Sequence, residues 1–240
     1  MEKTQAITQS KLLLVEGKDE RNLFGALVNH LSLKDIQIIV AGGYTQFQTR
    51  LKAIATTPGW ENVQSLGIVR DADNDAEAAF QSICSVLRNR GLPSPLKSAE
   101  LFVADPSVSI LIVPPHSATG MLEDVCLESV KDNPAISCVN GYFECLRNTM
   151  VRQSPHLAKA SVRAFLASRE MVEMSVFEHF QEQYPSLNNQ YPRQTNPAFV
   201  HAFLASRYRP DLDLGVAAQK GYWNFDHDAF SSIRRFMETL

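Results

Sequence analysis

Short apolar runs alternate with amphipathic stretches through the first 130 residues. The runs, rich in Leu, Ile and Val, lie at 12–15, 36–40, 65–70, 101–104 and 110–113. Apolar runs closed by charged or turn-forming residues are typical of strands that are buried on both faces of a parallel sheet. The pattern therefore predicts strands that alternate with helices, as in stacked βαβ units.

The stretches between the runs have helical spacing. Leu23, Leu27 and Leu31 recur every fourth residue, which predicts an amphipathic helix over 19–32 that packs on the sheet. A second helix is predicted over 75–89, where apolar residues line one side. The predicted fold class is therefore α/β, with a parallel sheet flanked by helices.

The pattern changes near residue 131, where strand-like runs end and prolines begin to break the helical segments. We predict an α/β domain over 8–130, followed by a mainly helical extension over 131–240. The near-repeats RAFLASR at 163–169 and HAFLASR at 201–207 predict two helices that make similar contacts. Their Phe and Leu side chains are expected in the core, because apolar helix stripes usually pack.

Acidic residues follow two of the predicted strands. Glu16 comes directly after the first strand, and Asp71 and Asp73 end the third. Ligands of open α/β sheets bind outside the carboxyl ends of the strands, so these acids would meet there if the two strands are neighbours. In an extended chain, Asp71 and Asp73 point to the same face. Crowded carboxylates resist ionisation unless a cation lies among them, which predicts a Mg²⁺ site.

Each acid also has an ordinary structural explanation. Glu16 could cap the following helix, and the two aspartates could form the turn before the next one. Glu123 and Asp124 open the helix predicted to begin near Met121. One of them could complete a metal site, or both could serve the helix dipole.

A strand ending in Glu16-Gly17, followed by a later strand ending in Asp71-x-Asp73, resembles the Toprim domain of topoisomerases, bacterial primases, recombination mediators and small nucleases. The OLD family of these nucleases is similar in carrying an acid four residues after the first Glu, here Glu20. The resemblance covers about the first half of the chain. More narrowly, the chain resembles stand-alone bacterial Toprim proteins with a helical extension, some of which accompany ABC-type ATPases in anti-phage systems.

The resemblance implies a Toprim-like sheet and a metal-dependent nuclease that acts on DNA or RNA. Glu16, Asp71 and Asp73 would be catalytic, with one or two Mg²⁺ or Mn²⁺ ions. The expected metal ligands are Glu16, Glu20, Asp71, Asp73, Asp75 and Glu123.

Other residues could bind phosphate or nucleic acid. These are Lys18, Gly42, Gly43, His116 and Lys220. Each also fits an ordinary turn or a solvated surface. Beside Lys220, Tyr222 and Trp223 could stack a base, or they could anchor the tail onto the sheet together with Phe225.

Composition narrows the functional classes. Hydrophobic residues make up 45% and charged residues 20%, as in ordinary soluble globular proteins. The net charge of −3 argues against a general nucleic-acid coat protein, which would be basic. We expect neither a signal peptide nor a membrane span, and we expect a cytoplasmic location. The four cysteines lack the spacing of a zinc site.

Two other functions stay open. The chain could be a non-catalytic or conditionally active subunit that binds a larger ATPase through the helical extension. It contains no GxxxxGK[ST] P-loop, so ATP dependence would come from that partner. It could also be a small-molecule phosphatase, since DADND at 71–75 superficially resembles the acidic motif of haloacid dehalogenases. In that family, however, the aspartate pair follows the first strand, where this chain has Glu16.

Overall fold

The computed structural model describes residues 6–148, 157–167 and 214–240. Within these residues, five strands form a sheet of order β2-β1-β3-β5-β4. They are β1 (Lys11–Val15), β2 (Ile36–Val40), β3 (Ser65–Asp71), β4 (Leu101–Phe102) and β5 (Ser107–Val113). β1 runs parallel to β2 and β3, and β3 runs parallel to β5. The predicted α/β class is confirmed.

The edge strand β4 differs from the prediction. It covers Leu101–Phe102 and pairs antiparallel with β5, which begins at Ser107, three residues before the predicted run. The short turn through Asp105 and Pro106 is long enough for a hairpin, whereas a parallel neighbour needs a crossover of about a dozen residues or more. The alternation of parallel strands and helices therefore stops at this edge.

Helices cover both faces of the sheet. The first four are α1 (Lys18–His30), α2 (Tyr44–Ile54), α3 (Ala76–Asn89) and α4 (Leu122–Glu128). On one face, every second strand residue packs against α2 and α3. This core includes Leu12, Leu14, Leu66, Ile68, Ile110 and Ile112 from the sheet, Phe47 and Leu51 from α2, and Phe80 and Ile83 from α3. The alternation follows from the two-residue period of a strand.

The opposite face holds α1 and the last residues of the chain. Leu23, Phe24 and Leu27 of α1 are fully buried, which confirms the predicted amphipathic helix. The side chain of Leu240 reaches the sheet, because a Cβ atom built on Gly67 would lie 2.7 Å from Leu240 Cδ2. The missing side chain of Gly67 therefore leaves the space that Leu240 fills.

The tail, residues 214–240, does not belong to a separate extension as predicted. Its helices α7 (Leu214–Gln219) and α8 (Ser231–Thr239) lie in the same compact unit as the sheet, while a second unit covers Val130–Asp213. The cause is close packing of α7 on α1, where a Cβ atom built on Gly215 would lie 2.2 Å from Asn22 Cβ. The α/β unit is therefore built from both ends of the described chain.

The aromatic residues of the tail anchor it. The Trp223 indole N–H donates to the Leu214 carbonyl at 3.0 Å, and the indole is buried. Phe225 is also buried, with its ring centroid 5.6 Å from that of His30 in the last turn of α1. The first part of the tail, through Phe225, thus packs along α1.

The second unit contributes α5 (Pro134–Asn148) and α6 (Leu157–Ala167) to the described residues. Phe165 and Leu166 of the first near-repeat are fully buried, which confirms their predicted core role. The second near-repeat, at 201–207, lies outside the described residues. Among the helices of the described ranges, none combines the length and the apolar character needed to cross a membrane.

The packing of α7 on α1 makes a testable prediction. Gly215→Ala should lower the free energy of unfolding by about 1–3 kcal/mol, because the new methyl group would overlap Asn22 Cβ and approach the Asp19 carbonyl at 2.8 Å. Gly25→Ala on α1 is the matched control. Nothing lies within 4 Å of its added Cβ, so it should be neutral or stabilise the helix by up to about 1 kcal/mol. Urea unfolding measures both, and equal midpoints for the two variants would contradict the docking of α7.

Candidate metal centre

The two acidic strand ends are neighbours. β1 pairs with β3 in parallel, with Leu14 opposite Ile68. The chain passes from β1 to β2 on one side and returns to β3 on the other, so the order of strands reverses between β1 and β3. Open α/β sheets bind ligands at such a switch point, outside the carboxyl ends of the strands. Glu16 follows β1 and Asp71 ends β3, so both stand at this point.

Asp71 is the centre of the acidic group. Its Oδ1 accepts a hydrogen bond of 3.0 Å from the Leu122 backbone N–H at the start of α4. Burial, then the charges of Glu123, Glu20 and Glu16, raise the pKa of Asp71 well above its usual range, against the lowering effect of the Leu122 bond. The Asp71 carboxylate is thus poorly solvated, and it lies in the field of three other acids. This is an environment that a cation would stabilise.

Glycines hold Glu16 and Glu20 at the end of β1. The N–H groups of Gly42 and Gly43 donate to the Glu16 carbonyl at 3.1 and 3.0 Å, and both glycines have positive φ. Gly17 leaves space for Glu20, since a Cβ atom there would lie 2.7 Å from Glu20 Oε2. Both amides thus fix the backbone of Glu16, and phosphate binding at Gly42 and Gly43 stays a prediction.

The backbone at Asp73 is not extended, although we expected an extended chain that places Asp71 and Asp73 on the same face. Its φ of 51° is left-handed, so the rule that alternate residues of an extended strand share a face does not apply. Its backbone pairs with Gly120 through two hydrogen bonds of 2.8 Å, and its side chain is exposed. Gly120 has a φ of 118°, a conformation that favours glycine. The pair locks the β3–α3 loop to the β5–α4 loop.

Two of the other acids cap helices. Asp75 is the N-cap of α3, where its Oδ1 accepts the Ala78 N–H at 2.9 Å. Asp124 Oδ2 accepts the Met121 N–H at 2.8 Å at the start of α4. Glu123 is the acid of α4 that acts on the Asp71 pKa. The structure thus separates the neighbours Glu123 and Asp124, one of which we expected to complete a metal site.

The donor set suits a hard divalent cation, since it consists of carboxylates with a poorly solvated one at its centre. Within the described ranges, however, no three His, Cys, Asp or Glu side chains lie close enough together to hold one ion. Glu16, Glu20 and Glu123 would therefore have to turn towards Asp71 to complete a coordination shell. The metal ligands remain a prediction.

The expected cationic contacts are spread over the unit. Lys18 is exposed in the first turn of α1, next to Glu16. His116 is exposed in the β5–α4 loop, with Nε2 at 3.3 Å from Ser232 Oγ. Lys220 is exposed just after α7, in the tail that runs along α1. Of the three, Lys18 and His116 lie on segments that follow strand ends.

Sequence reasoning missed the Leu122 amide and Cys126. Burial, then the charges of Glu123, Asp71 and Asp124, raise the pKa of the Cys126 thiol, which keeps it neutral beside the acids. The amide could have been anticipated from the helix start predicted near Met121, because the first N–H groups of a helix lack partners within it. No sequence signal pointed to Cys126.

Comparison with known proteins identifies the family. The family described as "Protein of unknown function (DUF3226)" matches residues 10–185, more than half of the chain. The chain belongs to this family. No significant match was found among curated proteins.

The DUF3226 chain is also similar, at low identity, to solved structures from two bacteria. The C-terminal region of the Xanthomonas campestris pv. campestris OLD protein, phased with mercury, is 14% identical, with a TM-score of 0.32 over 97% of this chain and 98% of that one. The C-terminal region of the Burkholderia pseudomallei OLD protein is 12% identical, with a TM-score of 0.36 over 94% and 97%. Scores of this size do not establish a shared fold, and the Toprim resemblance stays a prediction.

The raised pKa of Asp71 predicts a pH-dependent stability in metal-free buffer. The native pKa exceeds the ordinary value of 3.8, so the native state holds the proton more tightly and loses stability as the pH rises through that window. Asp71→Asn removes this loss and can still accept the Leu122 N–H. With EDTA at pH 7, the variant should unfold at a higher urea concentration than the native chain, and the difference should shrink towards pH 3.

The exposed Asp73→Asn is the control and should change the free energy of unfolding by less than about 0.5 kcal/mol. A lower midpoint for Asp71→Asn at pH 7, or a gain that does not vary with pH, would show that the charge of Asp71 carries no cost.

Proposed function

We propose that this protein is a metal-dependent phosphodiesterase that cleaves DNA or RNA. One observation carries the proposal: Asp71 stands at the switch point of the sheet, in the field of Glu16, Glu20 and Glu123. Perturbed carboxylates gather at functional sites, because a fold selected for stability alone gains nothing from crowding like charges. Phosphoryl chemistry is the common use of carboxylates that bind hard cations.

Each residue has a proposed role. Asp71, Glu16 and Glu123 would hold Mg²⁺ or Mn²⁺, Glu20 would serve a second ion, and Asp73 would add an outer ligand. The bound ion would polarise the scissile phosphate and lower the pKa of a water molecule. The Leu122 N–H fixes one oxygen of Asp71 and leaves the other for the ion. The amides of Gly42 and Gly43 fix the backbone of Glu16 at the end of β1.

The proposal is tested by cleavage of labelled plasmid, single-stranded DNA and tRNA with Mg²⁺, Mn²⁺ or EDTA. Metal-dependent cleavage should fall at least about 100-fold in Asp71→Asn and Glu16→Gln, because both would remove direct ligands and even outer-shell changes cost 10–100-fold. Asp124→Asn is the matched control. It makes the same acid-to-amide change beside Glu123 at a residue that caps α4, and should retain activity within about threefold.

Cleavage that survives both Asp71→Asn and Glu16→Gln would assign it to a different site. If the native chain cuts no substrate, the proposal of an autonomous nuclease fails. The chain would then be better explained as a subunit that is active only with a partner, such as an ABC-type ATPase, which co-purification and the same assay on the complex would examine.

A further inference from the structure

A cleft lies beside the β5–α4 loop. It has a volume of about 250 Å³ and is formed by the start of α3, the segment before β4, the end of β5 and the loop that follows β5. Its lining residues are Ala76, Glu77, Phe80, Leu96, Lys97, Ser98, Ile112, Pro114, His116 and Ser117. We propose that this cleft binds one nucleotide unit of a single-stranded nucleic acid, with its phosphate on Lys97 and His116.

The two loops beside Asp71 also build the cleft. One loop runs from Asp71 into α3, whose first turn lines the cleft, and the other lines the cleft before Gly120. They are joined by the Asp73–Gly120 pair and by a 2.8 Å bond from the Ala76 N–H to the Ala118 carbonyl. A single-stranded nucleic acid bound in the cleft would therefore lie one loop away from the acidic group.

The polar lining selects a phosphate. Lys97 is exposed and supplies a cation, and His116 offers Nδ1 while Nε2 faces Ser232 Oγ. Ser98 Oγ accepts the Ile112 N–H at 3.0 Å, which ties the Lys97 segment to β5 and leaves the hydroxyl proton for a ligand. Charge-assisted bonds from such groups are typical of phosphate sites.

The apolar lining suits a base. Phe80 and Ile112 form a buried floor, Pro114 continues it, and Leu96 stands at the rim with 81% of its surface exposed. Covering Leu96 with the face of a base would remove this apolar surface from water. Glu77 would repel a phosphate, so the phosphate lies towards Lys97 and the base or sugar towards Glu77. The volume is below the roughly 300–1,000 Å³ of drug-sized sites, so it suits one nucleotide unit.

The inference takes its substrate class from the proposed function, but its test needs no cleavage. In EDTA, the anisotropy of a labelled oligo-dT of about eight nucleotides, within the size range of single-strand sites, reports binding to the full chain. Lys97→Glu should weaken binding at least fivefold and reduce the slope of log K against log salt by about 0.7 more than the control does. The control is Lys34→Glu, the same charge reversal at an exposed residue before β2, which should weaken binding less than twofold.

A second measurement tests whether the ligand binds at the rim of the cleft and whether it is recognised as a nucleotide or as phosphate alone. Leu96→Trp adds an indole at an exposed rim position, and its fluorescence should be quenched by the oligonucleotide and by dTMP, but not by inorganic phosphate. Equal weakening by Lys97→Glu and Lys34→Glu, no binding of oligo-dT or dTMP, or equal effects of dTMP and phosphate would each overturn the proposal. If Lys97→Glu weakens binding but the native chain cleaves nothing, the cleft proposal is supported and only the nuclease proposal is refuted. If the chain cleaves nucleic acid and Lys97→Glu changes neither binding nor cleavage rate, the nuclease proposal stands and the cleft proposal is refuted.

Discussion

The parallel pairing of β1 with β3 is the constraint on which the candidate site depends. It brings Glu16 and Asp71 to the same edge of the sheet, with Leu14 opposite Ile68. A shift of the strand register by one residue would exchange the two faces of β3 and turn Asp71 towards α2 and α3. The apolar side chains on both faces exclude that shift, because they would have to exchange places in two packed cores. The hydrophobic core therefore positions the acids.

The same core explains why Asp71 is costly in the absence of a cation. Asp71 ends a strand whose other six residues are buried, and three other acids act on its carboxylate. One backbone bond from Leu122 offsets only part of this effect. Residues 214–240 also support the acidic group. Helix α7 packs on α1 just after Glu16 and thereby stabilises the segment that carries Glu16 and Glu20. Both ends of the described chain thus support one acidic site.

The sequence predicts the strands well, because local pattern determines them. The second strand was predicted with its observed bounds, Ile36–Val40, since four of its five residues are β-branched and apolar and Ala41-Gly42-Gly43 ends it. Asp73 was placed on the wrong assumption of an extended backbone. Its left-handed φ accompanies pairing with Gly120, a distant residue that local pattern does not reveal.

Long-range packing accounts for the other differences. Nothing in residues 214–240 alone shows that Gly215 meets Asn22, so the tail was predicted as part of the helical extension. The different roles of Glu123 and Asp124 likewise depend on the three-dimensional structure. Both are first-turn acids of α4, and only the direction of each side chain separates the cap from the neighbour of Asp71.

The most direct test of the metal centre is a measurement of Mn²⁺ binding, monitored by the electron paramagnetic resonance signal of the free ion. A metal centre at the switch point predicts that the native chain binds one or two ions, that Asp71→Asn and Glu16→Gln each weaken binding at least about tenfold, and that Asp124→Asn does not. Mn²⁺ binding by Asp71→Asn and Glu16→Gln at the native affinity, or no binding by the native chain, would contradict a metal centre at the switch point.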